Sequence, residues 1–193
     1  MKILRASDHR RMPWKNGGGV TTEIAVAPPG ASVGNFDWRI SMATVAADGP
    51  FSRFEGIDRT LTVLSGEGLD LTVESETPVR LTPAGKPHPF PGDMAASAKL
   101  IAGPVTDFNV MTRRGRWTHS VDNLTIDGTQ VLPVVGNVCI IFCRSGQITI
   151  DKLSVLYAHD AALIEGSAGA PEIAVSGSGE AIIVHLSQTL SAE

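Results

Sequence analysis

Cysteine and long apolar runs are both scarce in this sequence. Its 193 residues include only two cysteines, Cys139 and Cys143, four positions apart on a predicted strand. That separation is too large for an easy bridge within one strand, so we interpret both as buried thiols in a reducing compartment. No apolar run is long enough to cross a bilayer, and the opening MKILRAS lacks the apolar core of a signal peptide. We therefore expect a cytoplasmic protein without membrane attachment.

Basic charge is also limited. The formal net charge is −4 and the isoelectric point is near 5.7. Non-specific binding to nucleic acid or to anionic lipid requires a basic surface, and no motif that reads nucleic acid is present. Both classes of partner are therefore not expected.

Helix-forming patterns are rare. Twenty glycines and twelve prolines divide the chain into short segments, many of which alternate polar and apolar residues. Short alternating segments separated by turn residues predict an all-β sandwich or barrel. The predicted strands include 20–26, 38–45, 59–64, 69–73, 108–111, 138–143, 147–150, 161–164, 173–175 and 181–186.

Two similar turns indicate an internal duplication. Leu64–Leu69 reads as a glycine-rich turn between strands, and Cys143–Ile148 reads the same way in the second half. We predict two small barrels, residues 1–115 and 116–193, with the boundary in the stretch 112–133. The first barrel holds most of the arginines and should carry the ligand site, whereas the second should be mainly structural.

Sequence patterns for metal, phosphate and nucleophile chemistry are missing. There is no HxH or HxxxH spacing, no GxSxG elbow and no GxxxxGK[ST] loop. We expect no metal site and no cofactor, and each histidine is interpreted as a surface or satisfied core residue. The histidines are His9, His88, His119, His159 and His185.

The segment Met12–Glu23 contains the densest group of candidate site residues. Three consecutive glycines permit close approach of a ligand to the backbone, and exposed amides there can hold an anion. Trp14 supplies a stacking face, Lys15 a positive charge, and Asn16 both a donor and an acceptor. A loop over a barrel end with Trp14 as a plug remains the alternative.

Strand alternation groups further polar residues, because positions two apart share a face. Thr21 with Glu23, Arg39 with Ser41, and Asn109 with Met111 form such pairs, and Arg59 shares a face with Leu61. An arginine in a barrel interior needs a carboxylate partner or an anionic ligand. A ligand site and an internal ion-pair network are both open; the possible internal partners are Glu23, Asp48, Asp58 and Asp107.

Several linked motifs resemble the HutD/Ves family. They are Met12-Pro-Trp-Lys-Asn-Gly-Gly-Gly19, Phe36-Asp-Trp-Arg-Ile-Ser-Met-Ala43, Asp48-Gly-Pro-Phe-Ser-Arg-Phe54, Gly56-Ile-Asp-Arg59, Phe90-Pro-Gly-Asp93 and the stretch 103–114. The resemblance runs from about residue 8 to residue 186 and is densest before residue 114. It implies a bicupin, a bacterial cytoplasmic location and a link to histidine utilisation, or to stress response in the Ves branch.

The family site then maps to one set of residues, which are Trp14, Lys15, Asn16, Arg39, Ser41, Arg59 and Asn109. The leading hypothesis is a regulator that binds a small carboxylate metabolite such as urocanate or N-formylglutamate. A metal-independent lyase, isomerase or hydrolase with Glu23 as general base is the first alternative. A purely structural or interaction module is the second, and a homodimer is plausible in each case.

Overall fold

The chain is built almost entirely from β-strands, as the alternating sequence pattern predicted. The computed structural model describes residues 1–14, 18–166 and 172–189. The one helix in these ranges is a short 3-10 turn, Ala6–Asp8. Among the described residues no helix has the length and apolarity needed to span a membrane.

Sixteen strands are present in the described residues. In chain order they are β1 (Lys2–Leu4), β2 (Arg10–Pro13), β3 (Gly19–Ala27), β4 (Trp38–Val45), β5 (Gly49–Pro50), β6 (Ile57–Ser65), β7 (Leu69–Val73), β8 (Val79–Leu81), β9 (His88–Pro91), β10 (Ala96–Leu100), β11 (Val105–Arg113), β12 (Trp117–Pro133), β13 (Val138–Ile150), β14 (Ser154–Tyr157), β15 (Ala161–Glu165) and β16 (Glu172–Gln188).

The strands form two compact units. One unit is Arg10–Arg116, and the other joins Met1–His9 to Trp117–Glu193. The predicted division at residue 115 assigned the first nine residues to the first barrel. They belong instead to the second unit. The reason is that β1 pairs antiparallel with β15, where Ile3 lies opposite Ala162.

The Arg10–Arg116 unit contains two antiparallel sheets. The larger has the strand order β2-β3-β4-β11-β6-β9, and the smaller has the order β5-β10-β7-β8. Alternation turns Leu69, Leu71 and Val73 of β7 inward, where they join Leu61 and the rest of an apolar core. Because β4, β11 and β6 are adjacent in the larger sheet, their inward side chains form one continuous surface.

The second unit is a six-stranded sheet with the path β1-β15-β13-β16-β12, and β14 pairs with β13. Its longest pairing is between β12 and β16, which are matched along all of Trp117–Pro133. The units divide between Arg116 and Trp117, inside the predicted boundary stretch 112–133, but strand β12, which fills most of that stretch, was not predicted. Many side chains of β12 are polar and exposed, so its apolar alternation is weak.

The second predicted turn, Cys143–Ile148, is not a turn. Strand β13 continues through it and stays paired with β16, with a change of register between Cys143 and Ser145. Gly146 adopts φ 78° at this irregularity, a conformation that favours glycine, and the strand bends without ending. Both cysteines are buried and unbridged, as expected, and burial raises the pKa of each thiol to about 11.

Asp160 anchors the first residues of the chain to their unit. Its carboxylate accepts hydrogen bonds from Arg5 Nη1 at 2.7 Å, from the backbone N–H of Ala6 at 2.8 Å and from that of Tyr157 at 3.1 Å. Only 5% of the residue is exposed. A buried carboxylate with several donors is costly to remove because each donor then loses its partner.

We predict that Asp160→Ala lowers the free energy of unfolding by about 2–3 kcal/mol, since three donors lose a buried acceptor. Urea unfolding measures the change, and hydrogen exchange should show faster exchange in Lys2–Leu4. Glu180→Ala is the control, because the Glu180 side chain is 53% exposed and its ion pair to Arg144 in the same unit is long, at 3.5 Å. That control should change stability by less than about 0.5 kcal/mol. Equal effects of the two substitutions would contradict the prediction.

Candidate functional site

A cavity of about 460 Å³ opens on the inner face of the larger sheet in the Arg10–Arg116 unit. Its apolar wall includes Met12, Pro13, Trp14, Phe51, Phe54 and Met111. Its polar lining consists of Thr21, Arg39, Ser41, Ser52, Arg59 and Asn109. The volume suits a small organic molecule, and the mixture of apolar wall and few polar groups is typical of a ligand pocket.

Strand register brings the predicted polar residues together. Asn109 of β11 lies opposite Ser41 of β4, and Met111 lies opposite both Arg39 of β4 and Arg59 of β6. Side chains two apart on each strand share a face, so Arg39, Ser41, Arg59 and Asn109 converge on the cavity. All four are buried, with exposed fractions of 5% or less.

Arg59 lies within an aromatic cage. Its guanidinium carbon is 4.9 Å from the ring centre of Phe90, 5.3 Å from that of Phe51 and 5.6 Å from that of Phe54. Burial lowers the pKa of Arg59 to about 10, with the charge of Asp107 acting in the opposite direction. The side chain remains cationic at neutral pH and is attracted to the ring faces.

The Arg59 guanidinium also donates a hydrogen bond to a side chain of the neighbouring strand β11. Arg59 Nη2 donates to Asn109 Oδ1 at 2.6 Å, and Asn109 Nδ2 donates in turn to Asp107 Oδ1. Asp107 is fully buried, and burial raises the pKa of its carboxyl group to about 7, against the opposing influence of Arg59. Asp107 was foreseen only as one of four possible ion-pair partners; its i, i+2 relation to Asn109 was the available signal.

Arg39 has a different partner. Its Nε donates to Glu23 Oε2 at 2.7 Å, and the two side chains are 6% and 14% exposed. Glu23 does not line the cavity and lies behind Arg39 on β3. The position of Glu23 therefore fixes the direction of the Arg39 guanidinium.

Trp14 is held at the edge of the cavity by Thr21, because its indole Nε1 donates to Thr21 Oγ1 at 2.8 Å. Lys15 and Asn16, which were also predicted to contact the ligand, lie outside the described residues. Their placement in the site stays a prediction.

Other residues considered from the sequence are engaged away from the cavity. Asp48 accepts a hydrogen bond from the backbone N–H of Leu100, and Asp58 forms an ion pair with Arg114. Arg113 donates to the carbonyl oxygen of Phe36, and Arg116 pairs with Asp37. The basic cluster 113–116 thus contributes no lining residue.

Histidine, cysteine, aspartate and glutamate side chains do not converge on a possible metal position anywhere in the ranges 1–14, 18–166 and 172–189. Among the described residues that line or support the cavity, the charged groups are two arginines and two carboxylates. Arg39 and Arg59 are matched by Glu23 and Asp107.

The fold defines the class of protein. A cupin 2 conserved barrel domain protein from Leptotrichia buccalis superimposes with a TM-score of 0.57 at 7% identity, with 93% of this chain and 96% of that chain covered. At this identity the likeness concerns the fold alone. The chain is thus an all-β protein of the cupin-like class.

The chain belongs to the HutD family, whose sequence model matches residues 6–183. The structure of HutD from Pseudomonas fluorescens SBW25 superimposes with a TM-score of 0.86 at 35% identity, covering 98% of this chain and 99% of that one. An uncharacterized 21.2 kDa protein in the hutC 3' region of Pseudomonas putida is 33% identical over 86% of this chain and 88% of its own length. Protein Ves from Citrobacter koseri is 40% identical over 56% of this chain and 58% of its own length.

We predict that Gly92→Ala destabilises the unit by about 1–3 kcal/mol through overpacking. A Cβ at Gly92 would lie 2.9 Å from the carbonyl oxygen of Ile57 and 3.1 Å from the Cγ and Cδ atoms of Arg59. Gly49→Ala is the matched control, because a Cβ there meets nothing within 4 Å. Urea unfolding should show a change below about 0.5 kcal/mol for the control. An unchanged free energy of unfolding in Gly92→Ala would mean that the Arg59 side chain is not tightly packed against Gly92.

We also predict that Asp107→Asn reduces the pH dependence of stability. The folded pKa of Asp107 is raised to about 7 from an ordinary 3.8, so its contribution to stability is greatest below the unfolded pKa and is lost as pH rises through the folded one. The wild type loses stability over this range and the variant does not. The melting temperature of the variant minus that of the wild type should therefore rise by about 5 °C or more as pH is raised from about 5 to about 8.

Asp70→Asn is the control for this experiment. The bond from Arg80 lowers the pKa of Asp70 below its ordinary 3.8, so its carboxyl stays ionised throughout that pH range. The difference in melting temperature between this variant and the wild type should not change with pH. A constant difference for Asp107→Asn as well would show that Asp107 does not titrate in the folded protein within this range.

Proposed function

We propose that this chain binds a small carboxylate metabolite in the cavity of the Arg10–Arg116 unit and acts as a regulator of histidine utilisation. The observation that carries the proposal is the convergence of two buried arginines, Arg39 and Arg59, on one cavity of about 460 Å³. Pairing with internal carboxylates explains how these arginines can be buried. It does not explain why both line a cavity of ligand size, and that position favours a binding role.

The polar groups suit a carboxylate. Guanidinium groups form charge-assisted and bidentate bonds with carboxylates, and these are stronger than bonds between neutral groups. The Ser41 hydroxyl and the Asn109 amide, which also line the cavity, would orient the bound group. Lys15 and Asn16, next to the three glycines of the sequence, are proposed to complete the site.

The apolar wall suits the rest of the ligand. Trp14, Phe51, Phe54 and Met111 provide a surface for a small planar or aliphatic body next to the arginines. Urocanate and N-formylglutamate both combine such a body with at least one carboxylate. They are the proposed candidates, as ligands that a cytoplasmic regulator of this pathway would sense.

The relatives support the histidine link over the stress-response link of the Ves branch. The Pseudomonas putida relative is named for its position next to hutC, and its match extends over 171 residues. The match to Protein Ves from Citrobacter koseri is closer in identity but covers only 114 residues. The near-complete structural match to HutD points the same way.

A binding function is favoured over a metal-independent enzyme by the position of Glu23. That residue, the candidate general base, is hydrogen-bonded to Arg39 and does not line the cavity. A turnover assay with the bound metabolite discriminates between the two functions. Product formation that is lost in Glu23→Gln would favour the enzyme.

We predict that Arg59→Ala and Arg59→Met each weaken carboxylate binding by at least about a hundredfold, because the principal charge-assisted donor is removed. A thermal-shift screen with urocanate and N-formylglutamate, confirmed by calorimetry, measures the change. The methionine variant keeps most of the side-chain volume inside the aromatic cage, which separates lost binding from lost packing.

Arg80→Ala is the charge-matched control, because Arg80 forms an exposed ion pair with Asp70 and does not line the cavity. Its affinity should equal that of the wild type. Unchanged affinity in both Arg59 variants would refute the assignment of this residue. Failure of every tested carboxylate to bind the wild type would refute the proposed function.

A further inference from the structure

A buried chain of three side chains runs from Asp107, which does not line the cavity, through Asn109 to Arg59, which both line it. We propose that Asp107 is a positioning residue of the carboxylate site, which holds Asn109 against Arg59 and accepts one proton when a carboxylate binds. This inference rests on the proposed function. It adds a residue that does not touch the ligand and a second chemical species, the proton, that accompanies the ligand.

The geometry defines the positioning role. Asn109 Nδ2 donates to Asp107 Oδ1, so the amide oxygen of Asn109 is turned toward Arg59, whose Nη2 donates to it at 2.6 Å. The other orientation of the amide would place its NH₂ group against the guanidinium, where both groups are donors. Asp107 therefore selects the amide orientation that fixes Arg59 in the cavity.

The balance of charges around the cavity is the reason to expect uptake of one proton on binding. With Asp107 ionised, Arg39 is neutralised by Glu23, and Arg59 by Asp107, so these four described groups carry no net charge. The carboxylate that pairs with Arg59 would add a negative charge that these four groups do not compensate, and a buried charge without compensation is costly. Transfer of one proton from the buffer acid in solution to the Asp107 carboxylate restores neutrality among these groups and leaves Arg59 to pair with the ligand.

Asp107 is the group best placed to take this proton. It is fully buried next to the cavity lining without being part of it. Burial raises the pKa of its carboxyl group to about 7, so a small change in its surroundings is enough to protonate it at neutral pH. The Glu23 carboxylate, in contrast, accepts a hydrogen bond directly from Arg39, and a proton added there would remove the charge that Arg39 is paired with.

The ionisable groups that face Asp107 are few. Strand β2 contributes Arg10, which is exposed and lies opposite Glu23 of β3. Strand β4 contributes Arg39, and β6 contributes Arg59. His88 of β9 shares this face because it lies opposite Leu61. The four-stranded sheet turns apolar residues inward, while its charged residues Asp70, Arg80 and Lys99 lie on its other face. Lys15 lies outside the described residues.

The proton linkage sets the direction of the pH dependence. A carboxylate binds more tightly to the form of the protein in which Asp107 is protonated, so its affinity falls as pH rises above the pKa of Asp107. For one linked proton the limit is about tenfold per pH unit. N-formylglutamate is the suitable probe, because its carboxylates stay ionised in this range, whereas the imidazole ring of urocanate would itself titrate.

The experiment is calorimetry with N-formylglutamate from about pH 6 to pH 8.5, in two buffers of different ionisation enthalpy. For the wild type we expect an affinity that falls about tenfold per pH unit at the alkaline end, with uptake of close to one proton there. Asp107→Asn should bind with an affinity that does not vary with pH, without proton uptake, and at least about tenfold more tightly than the wild type at pH 8.5. Asp107→Ala, which cannot hold Asn109, should bind roughly tenfold more weakly than Asp107→Asn at every pH.

His88→Gln is the control, because it removes the one histidine that shares this face. It should leave both the pH profile and the proton uptake of the wild type unchanged; their disappearance in this variant would assign the proton to His88 and overturn the proposal. The proposal would also be overturned if the wild type bound with an affinity that does not vary with pH and an enthalpy that does not depend on the buffer. This part of the test uses the wild type alone, so it does not depend on the folding of any variant. Absence of binding by any carboxylate at any pH would refute the proposed function itself, a result distinct from the preceding two.

Discussion

Two guanidinium charges on the buried face of one sheet form the constraint on which the site depends. Both arginines are at most 5% exposed, so each charge must be compensated by side chains from neighbouring strands. Glu23 on β3 compensates Arg39, and Asp107 with Asn109 on β11 compensates Arg59. The register of β3, β4, β11 and β6 is therefore tied to electrostatics as well as to packing, because a slip of one residue would turn every partner to the opposite face.

The same face changes character along its length. Toward one end, Leu61 and Val63 of β6 join the apolar core with Leu69 and Leu71 of β7. Toward the other end, Arg59 is surrounded by aromatic rings and opens onto the cavity. The apolar end supplies the packing that holds the sheets together, and the polar end lines the cavity. Rigid packing beside a site is what keeps its polar groups in place.

Side-chain alternation allowed much of this to be predicted. Strands β4 and β7 were located at their observed bounds because their alternation is clear and glycine or proline lies nearby. Arg39, Ser41, Arg59 and Asn109 were grouped because alternation assigns each to a strand face. The partner of each arginine was not predictable, since it depends on which strands are adjacent and in what register. Strand β12 was missed because its exposed polar residues resemble those of a connecting segment.

Fold and site carry different information about the protein. A cupin-like barrel at 7% identity shares the architecture, and a shared architecture is compatible with many functions. The arginine pairs, the aromatic cage and the buried Asp107 are properties of particular residues. They are also the features that an unrelated protein of the same fold would not need to keep, so comparisons within the family should weigh these positions above overall similarity.

The pairing of β1 with β15 has a consequence for how the protein is made. Lys2–Leu4 are synthesised well before their partners Ala161–Leu163, which follow only after some 150 further residues. The continuous unit Arg10–Arg116 has all of its strands available much earlier and can fold as soon as it emerges. Strand β1 has no partner during that interval, so the second unit cannot be completed before β15 has been synthesised.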